Sequence, residues 1–505
     1  MRQSLLMNRW WPLVTISLGT FMLLIDVTIV NVALPPMAAD LRTSFSSLQW
    51  VIDGYALSLG VLLLGAGALG DRLGHRRFYL GGLVVFALSS LACGLAGSDA
   101  ALIAARVVQG VGAAAMFTTT FALLNRSYQG RERGTAYGVW GGVSGAAAAI
   151  GPILGGVLTE TLNWRWIFLV NLPISVFAIV LCQTTLKPDR GHRTGRFDLP
   201  GTVTFTLAAT ALTLAVIRAN DVGWSSVQTW GLLLVSAVAL AGFALVELRR
   251  PDPMLDLSLL RNRSFAGIVV AALLVNFAAF AAFTYTSIWL QSVVGLSPLR
   301  AGLTGLPMSV FSVLVSTLAG SRLHGRSPRA IIGSGMLLIG LGSGVCALFV
   351  GPASSWPALI PGYVLIGAGV GLVMPALASS AMGSVPAQRG GMAAGTITTA
   401  RQLGFAIGVA VLGTVFADRA ADHLGRTGGD GTAHALAGGQ AARILASTPA
   451  PLRPAVDAAL HAAAAAGLDA GFLVAAAAGL IGGLAVFALV RKPATRLADE
   501  PVAVA

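Results

Sequence analysis

The sequence predicts an all-α integral membrane protein. Fourteen transmembrane helices are expected, as two pseudo-symmetric six-helix bundles with two helices inserted between them. Three observations carry this. Only 10% of the 505 residues are charged and 55% are hydrophobic, with a mean hydropathy of +0.79, whereas a soluble chain carries roughly a quarter charged residues. The apolar residues gather into fourteen stretches near the ~20 residues needed to cross a hydrocarbon core. The chain also repeats itself weakly at an offset of about 250 residues.

The elements follow in order. Span 1, at 11–34, is too long for the apolar region of a signal peptide and has no convincing cleavage site, so it is expected to be retained. Spans 2–6 are placed at 48–70, 78–97, 101–124, 135–158 and 166–186, completing an amino-terminal bundle over 1–186. Spans 7 and 8, at 198–217 and 229–248, occupy an inserted segment, 187–265, with cytoplasmic linkers. Spans 9–14, at 266–290, 301–321, 330–350, 357–379, 391–417 and 468–490, make a carboxyl-terminal bundle over 266–490. A tail, 491–505, follows. The stretch 418–467, rich in Ala and Gly, reads as a partly ordered external excursion without a catalytic role, ending in a possible helix, DAALHAAAAAG. The 62 glycines suit tightly packed membrane helices.

A net charge of +13 would suggest nucleic acid in a soluble protein, but here its placement matters more. Of 33 Lys and Arg, 23 lie in loops on the amino-terminal side and 8 on the other; Arg106 and Arg401 lie within spans. The positive-inside rule then puts both termini in the cytoplasm of a multi-pass plasma-membrane protein. The basicity is topological, and no nucleic-acid partner is expected. Cys93, Cys182 and Cys346 sit inside spans without metal-ligand spacing and read as packing residues.

The repeat aligns LGDRLGHRR at 69–77 with AGSRLHGRSPR at 319–329, and LIAARVVQGVG at 102–112 with LIPGYVLIGAG at 359–369. Many secondary transporters are built from such halves, with the binding site between them. The repeat also isolates what is asymmetric: Asp71 becomes Ser321 and Arg106 becomes Tyr363.

A census of ionisable residues narrows the chemistry. Only Asp26 and Asp53 among 20 acidic residues fall clearly inside spans; Asp198, Glu247 and Asp469 lie near span ends, and no His or Lys is intramembrane. At ~1.5 Å per residue, Asp26 lies roughly 12 Å, Asp53 roughly 8 Å and Arg106 roughly 8 Å inside the external ends of their spans. An acid and a base at similar depth could satisfy one another. A carboxyl group holds its proton more tightly in low dielectric and more loosely beside a guanidinium. A conformational change acting on either effect would make a protonation switch; a permanent ion pair fixing helix register is the alternative. Arg401, beside Gln402, either donates hydrogen bonds to substrate or snorkels to the cytoplasmic face.

Two Gly-rich segments add mechanics. In GALGDRLGHRR at 67–77, Gly67, Gly70 and Gly74 allow close helix approach, and Asp71 could cap span 11 or pair with a basic side chain, latching the halves. The alternative is a solvated basic loop. In GAAAAIGPILGG at 145–156, Gly145, Gly151, Gly155 and Gly156 remove side-chain bulk, and Pro152 removes a backbone hydrogen bond and permits a kink.

Together these segments resemble the major facilitator superfamily, specifically its fourteen-helix drug:proton antiporters. DVTIVNVALP resembles the first-helix motif, GALGDRLGHRR the loop 2–3 motif, LIAARVVQGVGAA the fourth-helix proton motif and GAAAAIGPILGG the fifth-helix antiporter motif. NWRWIFLVNLP at 163–173 and GTITTARQLGFAIG at 395–408 also look like this family. The resemblance implies proton-driven export of amphipathic drugs, dyes or antibiotics. Arg106 and Asp26 would couple protons, with Asp53 the other available carrier. Asp71 and Arg72, with Arg76 and Arg77, would gate, and the 145–156 stretch would commit the chain to antiport. Two departures stand out: His75 occupies a place often basic in the family, and the carboxyl-terminal half has no clear intramembrane acid. The second argues against strong selectivity for dications.

Phe21, Phe277, Phe280, Phe283, Tyr285 and Trp289 are expected to supply apolar substrate contacts, and Asn31, Gln109, Arg401 and Gln402 polar ones. The expected partners are a small amphipathic substrate, protons and the bilayer, with the chain acting as a monomer. Rival readings are export of an endogenous metabolite or lipid, and a passive facilitator. An enzyme is not expected, since Asp26 with Asp53 is the only intramembrane carboxylate pair and no nucleophile or metal set appears. Neither a metal nor another cofactor is expected, and the absence of a phosphate-binding loop argues against direct ATP drive.

Overall fold

The computed structural model describes residues 2–43, 45–189, 198–251, 253–322, 327–383 and 390–490. Among them every regular element is helical. The chain runs α1 (Arg2–Leu41), α2 (Phe45–Leu73), α3 (His75–Gly94), α4 (Asp99–Ser127), α5 (Gly130–Thr161), α6 (Trp166–Leu169) and α7 (Asn171–Thr185). An inserted pair follows, α8 (Leu199–Val222) and α9 (Val227–Arg249). The second half comprises α10 (Arg263–Ala279), α11 (Ala281–Ile288), α12 (Pro298–Leu303), α13 (Leu306–Arg322), α14 (Pro328–Phe349), α15 (Ile360–Gly383), α16 (Gly390–Ala437), α17 (Ala441–Ser447) and α18 (Arg453–Leu489).

Twelve helical stretches among the described residues are long and apolar enough to cross a membrane, two fewer than the fourteen expected. The two outside that set are α2 and α5. Both include side chains outside the described residues; among the described ones α2 supplies the shorter apolar stretch Ser47–Leu63. Several elements also exceed their expected limits. α1 continues to Leu41 through Pro35 and Pro36, and expected span 9 is assembled from α10, α11 and a π turn at Trp289–Val293. The largest departure is the external stretch. α16 has 48 residues and would measure about 72 Å at ~1.5 Å per residue. Together with α17 and the first turns of α18 it makes 418–467 mostly helical.

The repeat is visible in the packing. α1 packs on α5, α2 on α4 and α3 on α4; correspondingly, α10 packs on α16, α13 on α15 and α14 on α15. The halves meet where α5 touches α12 and α13, and where α2 touches α16. α8 and α9 pair with each other, tied by the Ser236 hydroxyl donating to the Ala208 carbonyl at 2.8 Å. α8 lies against α2 and α16, while α9 turns Trp230, Leu234, Val238 and Leu248 outward, as a lipid-facing helix would.

Glycine sets two close approaches around α4. A Cβ on Gly110 would meet the Tyr55 carbonyl on α2 at 2.7 Å, and one on Gly112 would meet the Phe86 nitrogen on α3 at 2.6 Å. Both obstacles are backbone and cannot swing aside. Gly112→Ala is therefore expected to cost about 1–3 kcal/mol, seen as a lowered melting temperature of the detergent-solubilised protein. An unchanged melt would mean α3 and α4 are not held this close.

Candidate functional site

α4 begins at an ordinary cap, the Ser98 hydroxyl accepting from the Ala101 amide at 3.3 Å, and runs unbroken past Arg106. The Gly110 contact with α2 brings Arg106 against three neighbours. Its Nη1 donates to Asp26 Oδ2 at 2.5 Å and to Gln109 Oε1 at 2.9 Å, and its Nε donates to the Val51 carbonyl at 3.0 Å. The guanidinium lies 4.2 Å from the centre of the Tyr55 ring, close enough for cation–π attraction. Asp26 Oδ1 accepts from Gln109 Nε2 at 3.0 Å and from Asn171 Nδ2 at 3.4 Å. Ser90 on α3 closes the cluster, accepting from Gln109 and Asn171 and donating to the Phe168 carbonyl at 2.9 Å.

Asp26, Gln109 and Ser90 have no exposed surface and Arg106 has 1%. Such a pair persists in low dielectric only when its remaining donors and acceptors are satisfied, which Gln109, Asn171, Ser90 and Val51 accomplish. The structure thus brings Asp26 and Arg106 into direct contact, wholly within the amino-terminal half. Gln109, expected at the substrate cavity, belongs to this cluster instead. Ser90 and Asn171 went unrecognised in the sequence. Asn171 lies in the quoted NWRWIFLVNLP stretch and could have been found there; Ser90 sits in an apolar helix without any distinguishing pattern.

Asp53 is different. It is fully buried, and among the described residues neither carboxyl oxygen has a hydrogen-bond partner. At 100° per residue, Asp53 shares one face of α2 with Gln49 and Gly60, while Val51, Gly54 and Tyr55 point toward α4. That shared face meets the other half. Gln49 Nε2 donates to the Tyr285 hydroxyl at 3.2 Å, and Thr399 on α16 donates to the Gly60 carbonyl at 2.8 Å. Asp53 therefore sits at the boundary between the halves.

Other cross-half bonds lie toward the predicted external face. Thr284 donates to Asn31 Oδ1 at 3.0 Å, and Gln291 Nε2 donates to the Val32 carbonyl at 2.9 Å. Gln440, in the turn after α16, donates to the Thr43 carbonyl at 3.1 Å. In the antiporter motif, Gly156 packs on the Leu299 backbone, and Gly302 of α12 packs on the Pro152 carbonyl. Gly151 and Gly155 lie against Thr28 and Ile29 of α1. The cross-half contacts join the two halves at that face. Gly145 lies earlier on α5.

At the predicted cytoplasmic face, Gly74 takes φ +90° and opens α3. Asp189, just beyond α7, accepts from the His75 and Arg76 amides at 2.6 and 3.0 Å, an anion placed at a helix amino terminus. Arg76 Nη2 returns a bond to the Gln183 carbonyl at 2.7 Å. These contacts of His75 and Arg76 lie within the amino-terminal half. Arg72 and Arg77 are exposed, and Gly70 packs near Thr119 and Phe78. Gly67 has no neighbour within 4 Å of where a Cβ would stand. The side chain of Asp71 lies outside the described residues. α14 (expected span 11) is capped by its own Ser327, whose hydroxyl accepts from Ala330.

Several expected cavity residues are sealed in this conformation. Trp289 and Tyr285 are buried, the latter donating to the Val409 carbonyl at 2.6 Å, and Asn31 and Phe277 are buried too. Phe21, Phe280, Phe283, Arg401 and Gln402 keep partial exposure.

The model of the Major Facilitator Superfamily matches residues 16–409. The chain is 39% identical over 409 residues to the multidrug resistance protein Stp of Mycobacterium tuberculosis, covering 80% of this chain and 75% of that protein. It is 36% identical over 437 residues to the puromycin resistance protein pur8 of Streptomyces alboniger, covering 85% and 87%. It is 34% identical over 424 residues to the tetracenomycin C resistance and export protein of Streptomyces glaucescens, covering 83% and 78%. Among solved structures, a bacterial homologue of the lysosomal transporter Spinster, inward-facing and unoccupied, superposes with a TM-score of 0.65 at 16% identity. That match covers 96% of this chain and 99% of the other. At that identity the likeness concerns the fold alone.

Proposed function

We infer function from the premise that this chain belongs to the major facilitator superfamily, and propose that it exports amphipathic drugs or antibiotics from the cell in exchange for protons. The resistance and export proteins that it resembles over most of its length support the export reading. The observation that carries the proton reading is Asp53, buried without a partner at the boundary between the halves.

An ionised carboxylate there would lack compensation, at a cost of several kcal/mol. The closed external interface therefore favours protonated Asp53. With both termini cytoplasmic, a proton taken from outside permits external closure. Its release inside, once substrate has bound, permits reopening with the substrate carried outward. Protonated-closed and deprotonated-open together give exchange rather than symport. The Asp26–Arg106 pair belongs to one half and keeps its partners while the halves move, so it holds α1, α4 and α7 in register around the carrier.

The test is a compound panel on inverted membrane vesicles holding a preformed acidic interior. Transported compounds should dissipate part of the gradient, and untransported ones should not. A panel of chemically varied amphiphiles that enters the vesicles without moving protons would replace exchange with passive facilitation.

A further inference from the structure

We propose that Arg401 and Asn276 form an anchor for an acidic oxygen, a carboxylate or ionised phenol, on the exported molecule. This deepens the export reading and rests on it. Arg401 lies on α16, 11 residues beyond its first residue, Gly390, or roughly 16 Å along the axis at 1.5 Å per residue. Its direction follows from its neighbours. Gly404 and Gly408 pack on Leu273 and Phe277 of α10, while Thr399 and Gln402 meet Gly60 of α2. At 100° per residue, Arg401 falls between those two faces, toward the space shared by the halves.

The guanidinium is under-used. A guanidinium has five N–H donors, and among the described residues only Nε meets a protein acceptor, Asn276 Oδ1 at 3.5 Å. No carboxylate lies within ion-pair distance among the described residues, in contrast with Arg106 on Asp26. The side chain keeps partial exposure although it sits within a span. Asn276 is buried on α10, and its amide can add a donor beside the guanidinium once Oδ1 is engaged. The planar fork matches two oxygens of a carboxylate or one ionised phenol oxygen, and Leu273 and Phe280 supply apolar surface nearby on the same segment.

Binding is measured on the purified, detergent-solubilised protein with two dyes sharing a xanthene ring, carboxyfluorescein (anionic) and rhodamine 6G (cationic), by fluorescence anisotropy. The wild type should bind the anion about 10-fold more tightly than the cation. Arg401→Gln should weaken the anion about 10-fold and leave the cation within about 2-fold, with Arg401→Lys intermediate for the anion. Preference for the cation, binding of neither dye, or equal losses for both dyes would overturn the proposal. If Arg401→Gln does not fold, the wild-type ratio and Arg401→Lys decide. Because anisotropy needs no gradient, selective anion binding without vesicle transport would sink the export reading and leave the anchor standing.

Discussion

Asp53→Asn is expected to abolish substrate-driven dissipation of the pH gradient while leaving a folded protein. The amide mimics the protonated acid in size, and the buried site has no partner to lose. The variant should be held with its external face closed, because it can no longer acquire the charge that opposes closure. Single cysteines at Gln49 and Asn31, buried between the halves, should then label from outside more slowly than in the wild type. In the wild type their labelling should rise as external pH rises, since deprotonated Asp53 disfavours burial. In the variant it should be flat. Equal pH dependence in both would place the proton elsewhere.

Arg106→Gln is expected to have the largest effect on stability. It strands Asp26 with only the Gln109 and Asn171 amides, and breaking one side of a buried pair costs about 3–5 kcal/mol. Removing both charges, as Asp26→Asn with Arg106→Gln, should recover much of that loss in a thermal melt without recovering transport. Arg106→Lys should rescue neither property fully, since one ammonium cannot reach Val51, Gln109 and Asp26 as the guanidinium does. A double variant no more stable than Arg106→Gln would mean the pair contributes little coupling energy.

Asp26 and Arg106 were legible because depth follows from residue count along a helix, and few charges tolerate that depth. Asp53 was legible as an intramembrane acid but not as the boundary residue. α2 is apolar on nearly every side, so its sequence does not show which face meets lipid, α4 or the other half. Only the Gln49 and Gly60 contacts orient it. The aromatic residues are hard to place from sequence for a related reason: in a bilayer protein, aromatic side chains are equally at home in a cavity, against lipid or between helices. Trp289 and Tyr285 proved to be packed between helices. The external stretch misled through composition. GRTGGDGTAHALAGG carries enough Gly to read as irregular chain, yet α16 runs through it to Ala437, and Gly439, at φ +77°, makes the turn.

The central claim is that a proton on Asp53 is exchanged for substrate. The most direct measurement adds a compound identified by the vesicle panel to purified protein in weakly buffered detergent solution and follows a pH indicator. The account predicts release of about one proton per bound molecule by the wild type and almost none by Asp53→Asn at equal occupancy. Undiminished release by Asp53→Asn would contradict it.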